Sequence, residues 1–347
     1  MLSYRHAFHA GNHADVFKHT LLVMLLERFN AKETPYTVID THAGSARYDL
    51  NDERAQKTLD AQSGILKLFE AAKHVQKAQS PDREQPAPQP SAISHDDLQS
   101  ARKLSESVLR ELLLSKCPSG FIDFQKYFHF AKACLDAGFY PGSPEIERAF
   151  MRAKHCLILS ELHPDEIGAL QRNMRLNAAN AENSPAVHIH HRDGFEALRA
   201  LTPPKTKRGI VFCDPSYEDA SDWEKAANAL IETHKRWASA TLALWYPLVA
   251  VKKIERDSMK QKIIAGIKSG KTERGILDAR LCVNTENSHR ESALKDVKRS
   301  EPPRLYGSGM LVVNPPWKID DELGAVLPRL AEALGSGSAG SYKINNY

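Results

Sequence analysis

Short runs of β-branched and other apolar residues recur along this 347-residue chain, and most of them end at a polar or acidic residue. Helix-length stretches separate most of these runs, a pattern typical of an α/β fold with a mainly parallel sheet. In such sheets, ligands bind outside the carboxyl ends of the strands. The runs span residues 36–40, 156–162, 186–193, 209–214, 241–247 and 309–316, and four of them close near Asp40, Glu161, Asp193 or Asp214.

The interval between the first two runs is far longer than the dozen or so residues that one crossover needs, which indicates an insertion. Apolar residues at helical spacing over 64–75 and 104–114 predict helices, and the Pro, Gln and Ser of 77–97 predict a flexible linker. The predicted organisation is a discontinuous core (1–50 and 140–334), a helical insertion (51–139) and a frayed tail (335–347).

Composition places the chain among folded proteins, since 42% of its residues are hydrophobic and 26% are charged. Five scattered cysteines without a CxxC pair argue against a disulfide framework and against a cysteine-based zinc site. No apolar run reaches the roughly 18 residues of a membrane span, and the N-terminus has no apolar signal core. We therefore expect a cytoplasmic protein without a membrane partner.

The segment Asp214-Pro215-Ser216-Tyr217 follows an apolar run directly and places a carboxylate, a carbonyl and an aromatic ring at a strand end. The exocyclic amine of adenine is a poor nucleophile, and two acceptors on its hydrogens favour the tetrahedral nitrogen that develops during attack. Asp214 and the Pro215 carbonyl would supply both acceptors, and Tyr217 would stack on the base. An Asp-Pro turn that merely ends a buried strand accounts for the tetrapeptide equally well.

Other strand ends carry groups suited to a nucleoside ligand. The loop after Asp40 holds only Gly44, so the GxGxxG pattern of dinucleotide sites is absent. Glu161 would accept hydrogen bonds from ribose hydroxyls, and Asp193 would meet an adenine edge, although helix capping explains such carboxylates too. Ser143 is a candidate N-cap and precedes a proline at a predicted helix start. The free amides of that helix end would attract a carboxylate, and an ordinary capped helix explains the pattern equally well.

The N-terminal stretch concentrates imidazole rings and cations. Tyr4 and His6 would stack on bases, and Lys18 would meet a phosphate or the reacting base, so we favour a surface that faces nucleic acid. His9 and His13 have the spacing of zinc ligands, but the sequence lacks the glutamate of HExxH, and we expect no metal.

A second segment, 314–317 (Asn-Pro-Pro-Trp), also follows an apolar run and offers an amide, a carbonyl and a ring. It competes with the segment at Asp214 for the amine. We rank it second because it comes last in the chain, after the acidic strand ends. A rigid strand exit that packs its tryptophan is the plainer explanation.

Together, these residues resemble the ribosomal RNA large-subunit methyltransferase J family. The segments that match the family's motifs occur in the same order along this chain. The similarity fades between about residues 51 and 139. The segments that carry the resemblance are residues 1–19, 40–48 (DTHAGSARY), 140–144 (YPGSP), 160–164 (SELHP), 192–195 (RDGF), 214–218 (DPSYE), 243–247 (ALWYP) and 308–317 (SGMLVVNPPW).

The resemblance implies a Rossmann-like class I methyltransferase with a mainly parallel seven-stranded sheet. It implies transfer of a methyl group from S-adenosylmethionine to N6 of one adenine in 23S rRNA, with Asp214 receiving or relaying the amino proton. Ser216 stands where the family more often has proline. The implied cofactor residues are His19, His42, Ser143, Glu161, Asp193, Gly194 and Asp214; Tyr4, His6 and Lys18 are implied on the substrate side.

Two other functions stay open from the sequence. The chain would be a DNA adenine-N6 methyltransferase if duplex DNA replaced RNA, or a non-catalytic RNA-binding factor if it kept only the pocket. We expect a monomer that needs no protein partner.

Overall fold

A computed structural model describes residues 5–69, 122–175, 182–268, 274–288, 305–336 and 339–347. Its centre is an eight-stranded sheet in the order β10-β8-β9-β7-β6-β1-β4-β5. Strands β5, β4, β1, β6 and β7 run parallel, whereas β9, β8 and β10 join by antiparallel pairing. The strands are β1 Thr37–Asp40, β4 Cys156–Glu161, β5 Ala186–His191, β6 Gly209–Cys213, β7 Thr241–Leu248, β8 Ile276–Cys282, β9 Gly307–Val313 and β10 Ser341–Asn346.

The last strand corrects two expectations, because the sheet has eight strands rather than seven and the tail is not frayed throughout. Every residue of Ser341–Asn346 pairs with β8, from Ser341 opposite Cys282 to Asn346 opposite Leu277. Without this pairing, β8 would present a row of unpaired backbone groups at the sheet edge. The Gly- and Ser-rich composition of the tail did not predict this strand, because its partner β8 is distant in the sequence.

Helices cover the sheet, and α1 is buried nearly all round because it is apolar on most of its faces. Its N-cap is Asn12, whose side chain accepts a hydrogen bond from the Asp15 amide at 2.9 Å. The helices are α1 His13–Asn30, α2 Glu53–Thr58, α3 Asp60–Ser63, α4 Ile122–Asp136, α5 Ser143–Phe150, α6 Pro164–Asn173, α7 Gly194–Leu201, α8 Asp222–Arg236, α9 Lys253–Lys268 and α10 Ile319–Leu334.

The chain leaves and re-enters the core through a small antiparallel pair, β2 (Arg47–Tyr48) and β3 (Tyr140–Pro141). This pairing is the kind of junction that an insertion at 51–139 requires. The described ends of that insertion are helical, and Tyr127 and Phe130 of α4 belong to the same hydrophobic core as α1. The domain limits remain a prediction. The expected linker (77–97) and the expected helix over 104–114 lie outside the described residues.

Within the described ranges, no helix has the length and apolar character needed to cross a bilayer.

Candidate active site

One cavity of about 170 Å³ opens at the carboxyl ends of the parallel strands. Register explains its position: Asp40 at the end of β1 lies opposite Leu159 of β4 and Phe212 of β6, so the three strands end at the same edge. The cavity brings together nine residues that the sequence nominated, namely His6, Lys18, His19, His42, Ser143, Glu161, Asp193, Gly194 and Asp214.

A buried ion cluster joins α1 to the end of β6. The Lys18 ammonium lies 2.8 Å from Asp15 Oδ1 and 2.5 Å from Asp214 Oδ2. Asp15 also contacts His6 Nε2 at 3.0 Å and accepts a hydrogen bond from the Gly11 amide at 2.8 Å. Burial alone would lower the pKa of Lys18, but the two carboxylates outweigh it and raise that pKa above its usual value. Lys18 therefore stays an ammonium and cannot act as a base near neutral pH.

Asp214 is only 13% exposed, and Oδ1, its second oxygen, has no hydrogen-bond partner among the described residues. A carboxylate oxygen accepts hydrogen bonds and leaves room for a donor such as an amine. Asp214 lines the cavity together with Ser216. The cation on one oxygen thus orients the carboxylate, and the other oxygen is free to accept.

The Asp40 carboxyl is fully buried at the end of β1. Ser143 Oγ donates to Asp40 Oδ2 at 2.6 Å, and the His42 amide donates to Asp40 Oδ1 at 3.1 Å. Burial raises the pKa of Asp40 to about 7, although both hydrogen bonds oppose that rise. Ser143 thereby ties the first turn of α5 to the strand end, and it does not act as the helix cap that we considered.

The glycine loop is fixed by Glu161. Its carboxylate accepts the Gly44 amide at 2.8 Å and the His163 amide at 2.6 Å, and burial raises its pKa. Gly44 has a φ of +59°, and a Cβ there would lie 2.1 Å from the Tyr48 hydroxyl. Only glycine suits both requirements.

Asp193 is the N-cap of α7, since its Oδ1 accepts the amides of Phe195 and Glu196 at 2.8 and 3.0 Å. Gly194 packs so tightly on the first loop that a Cβ would lie 2.1 Å from the Thr41 carbonyl oxygen. Capping therefore accounts for one oxygen of Asp193, and the residue still borders the cavity.

Two imidazoles at the cavity are neutral. Burial lowers the pKa of His19 to about 3 and that of His42 to about 4. His19 Nδ1 lies 3.0 Å from the Tyr140 hydroxyl, and His42 Nδ1 lies 2.7 Å from Thr41 Oγ1. These rings offer hydrogen bonds without adding charge beside Lys18.

Tyr217 does not take the place that we predicted. Its ring is 8% exposed and does not border the cavity, because it packs against Trp223 with ring centroids 4.2 Å apart. Its hydroxyl donates to the Trp245 carbonyl oxygen at 2.8 Å. Packing against Trp223 and the hydrogen bond to Trp245 hold the Tyr217 ring in the interior. Tyr217 therefore supports the loop on the side away from the cavity. Pro215 is buried as well, and Tyr4 lies outside the described residues.

The competing segment at 314–317 lies at the opposite edge of the sheet. Strand β9 is antiparallel to β7, so its carboxyl end points away from the cavity. Asn314 therefore cannot share a ligand with Asp40 or Glu161, and the alternative amine site is wrong for this reason.

Sequence reasoning missed Asp15, which holds Lys18 and His6 together. The i,i+3 spacing of Asp15 and Lys18 was the available signal. In the described part of the chain, no group of three His, Cys, Asp or Glu side chains is arranged to hold a metal ion. His9 Nδ1 instead lies 2.9 Å from Asp60 Oδ2.

Comparisons with known proteins agree with this architecture. Ribosomal RNA large subunit methyltransferase J of Escherichia coli (strain K12) is 31% identical over 342 residues, covering 98% of this chain and 97% of the relative. The protein of that name from Haemophilus influenzae is 29% identical, covering 99% and 98%. A crystal structure of protein LPL1258 from Legionella pneumophila superposes with a TM-score of 0.66 at 25% identity, covering 97% and 98%.

A family model matches residues 33–80 and 118–346, which include β1, β4, β5, β6 and the ends that line the cavity. Its description is "Ribosomal RNA large subunit methyltransferase D, RlmJ". The match spans most of the chain, and the fold is that of a Rossmann-like methyltransferase. The chain therefore belongs to this family of rRNA methyltransferases.

Proposed function

We propose that the protein transfers a methyl group from S-adenosylmethionine to N6 of one adenine in 23S rRNA. The observation that carries the proposal is the Lys18–Asp214 pair, which presents a free carboxylate oxygen to the cavity whose other lining residues we propose to bind the cofactor. The names of the relatives support rRNA as the substrate class. An adenine amine is the acceptor whose chemistry best suits Asp214.

The residues at the cavity fit S-adenosylmethionine. Gly44 forms a tight turn at the cavity wall, and Glu161, which accepts the Gly44 amide, supplies a carboxylate that suits ribose hydroxyls. Asp193 and Gly194 would border the adenine, and His19, His42 and Ser143 would complete the site. When bound, the cofactor supplies an electrophilic methyl group on a sulfonium.

Asp214 would accept a hydrogen bond from the target amine through Oδ1, while Lys18 holds Oδ2. With the donor bound, the amine nitrogen would form a bond to the methyl carbon, the carbon–sulfur bond would break, and its electron pair would stay on sulfur. The nitrogen would then lose a proton through Asp214 to solvent. Lys18 keeps the carboxylate oriented, and the Pro215 carbonyl remains the proposed second acceptor.

His6 and Tyr4 would contact the RNA beside the cavity. His6 packs edge-on against Tyr48, with ring centroids 5.0 Å apart, and its Nε2 lies 3.0 Å from Asp15. The Asp15 carboxylate therefore links His6, which we place on the substrate side, to Lys18. A base entering there would have to leave its stack, as in other enzymes that modify bases.

The test is incubation of the full chain with labelled S-adenosylmethionine and protein-free 23S rRNA, followed by nucleoside analysis. We expect N6-methyladenosine at one position. Asp214→Asn should abolish transfer and leave the affinity for RNA largely intact. Asp222→Asn also changes a carboxylate at the cavity and should retain activity, which makes it the matched control. Absence of product on every form of the rRNA would refute the proposal.

The two alternatives give different results in this assay. A DNA methyltransferase would label duplex DNA in preference to rRNA. A binding factor would bind rRNA without turnover. A single species near the mass of 38.7 kDa in solution would support the monomer that we propose.

A further inference from the structure

A groove of about 1230 Å³ lies at the edge of the sheet opposite the active site. It begins where Lys207 and Arg208 precede β6 and where Thr241 opens β7. Helix α1 spans the distance between the two sites. Lys18 and Phe29 are 11 residues apart along it, which is about 16 Å at the α-helical rise of 1.5 Å per residue.

Six cationic side chains line the groove, and four of them form no ion pair among the described residues. Two of its arginines have partners, since Arg28 donates to Glu322 and Arg208 donates to the Thr34 carbonyl oxygen. Four further cations line the groove and are exposed, and none has an ion-pair partner among the described residues: Lys32, Lys207, Arg274 and Lys318. Asp320 and Asp321 are the carboxylates on its wall, so positive charge predominates.

Trp317 stands at this groove with 80% of its surface exposed. The other three tryptophans are at most 9% exposed. The loop that carries Trp317 is anchored, because Asn314 Nδ2 donates to the carbonyl oxygens of Ala238 and Ala240 at 2.7 and 2.9 Å. Asn314 and Lys318 both have positive φ angles, +51° and +62°. The backbone thus adopts the left-handed conformation, which is uncommon for residues other than glycine, on both sides of the solvent-exposed Trp317 ring.

We propose that this groove binds a single-stranded segment of RNA, with Trp317 stacked on a base and the four unpaired cations facing phosphates. An exposed aromatic ring among cations is the combination that binds unpaired nucleotides without sequence preference. The inference rests on the proposed function for the identity of the RNA, as a part of the substrate beyond the target adenine. Because the groove lies about 16 Å or more from Lys18, a short RNA that fills the active site would not reach it.

Tryptophan fluorescence tests the groove without any methyl transfer. We expect a single-stranded oligoadenylate to quench the exposed Trp317 and to protect it from acrylamide, in the absence of cofactor. Trp317→Phe should lose this signal yet keep the affinity in a filter-binding assay, whereas Trp317→Ala should weaken binding by about 5- to 150-fold.

Salt dependence tests the cations. Each phosphate contact on a single strand adds about 0.7 to the slope of log K against log salt, so Lys318→Ala should lower the slope by about that amount. Lys262→Ala is the matched control, because it removes an equal charge that Glu224 already pairs at 3.0 Å. The slope for this control should not change.

The outcomes separate the two proposals. Quenching by oligoadenylate with no methylation of any RNA would support the groove and refute the proposed function. Methylation of 23S rRNA that Trp317→Ala and Lys318→Ala leave unchanged, together with no quenching, would overturn the groove. Quenching by an acidic peptide but not by RNA would also overturn it, because the occupant would then be a protein.

Discussion

Replacing Lys18 with Met removes the ammonium that bridges Asp15 and Asp214. The Asp15 side chain is 1% exposed, so the change leaves a buried carboxylate with His6 and the Gly11 amide alone. Breaking a buried pair in this way costs roughly 3–5 kcal/mol, and the two remaining contacts favour the lower value. An unfolding entropy of about 2.1 cal/mol/K per residue over 347 residues gives about 0.7 kcal/mol/K, so we expect the melting temperature to fall by about 4 °C.

The assay is thermal unfolding beside methyl transfer to 23S rRNA. Lys18→Met should lose transfer, and the double variant Asp15→Asn/Lys18→Met should recover part of the stability without recovering activity, because it removes the buried charge but not the need to orient Asp214. Lys126→Met is the matched control. Lys126 is also buried between two carboxylates, Glu27 and Asp123, which are more exposed than Asp15. It should cost less stability and leave transfer unchanged. An unaltered melting temperature for Lys18→Met would refute the reasoning.

Three further predictions concern single residues. Gly44→Ala should abolish the thermal shift that S-adenosylhomocysteine produces, since its Cβ meets a hydroxyl at 2.1 Å, whereas Gly324→Ala on open helix surface should keep it. Burial lowers the pKa of His19 to about 3 from 6.5, so the folded state resists a proton that the unfolded chain takes up. The free energy of unfolding should therefore decrease as pH falls from about 6.5 towards 3, and His19→Gln should make that decrease less steep in pH-resolved melts, since His42 also contributes to it. Tyr217→Phe should cost about 1 kcal/mol through the lost bond to Trp245 and change kcat by less than about twofold; a loss above tenfold would place its hydroxyl in the reaction.

The sequence predicted those features of the site that follow from a general rule of parallel sheets, and it did not predict those that depend on the direction or packing of a particular segment. The acidic strand ends could be predicted to meet, because parallel strands end at one edge, and Asp40, Glu161 and Asp214 do so. The antiparallel direction of β9 could not be predicted from its own residues. The sequence therefore did not reveal that Asn314 lies at the sheet edge opposite the cavity.

Packing between distant segments decided the remaining differences. Tyr217 is buried because Trp223 and Trp245 surround it, and neither is its neighbour in the tetrapeptide. Strand β10 forms by pairing with β8, which is distant in the sequence, and Ile344 packs against the core. A buried charge such as Asp15 is also hard to anticipate, since acidic residues are almost never buried unless paired, and its partners are set by the fold.

The central claim is that the methyl donor and the target amine meet at Asp214. A crystal structure of the full chain with S-adenosylhomocysteine tests it most directly. We predict the ribose at Glu161, the adenine at Asp193 and the sulfur facing Asp214 across the cavity. Density for the ligand at any other place, such as the groove beside Trp317, would contradict the account.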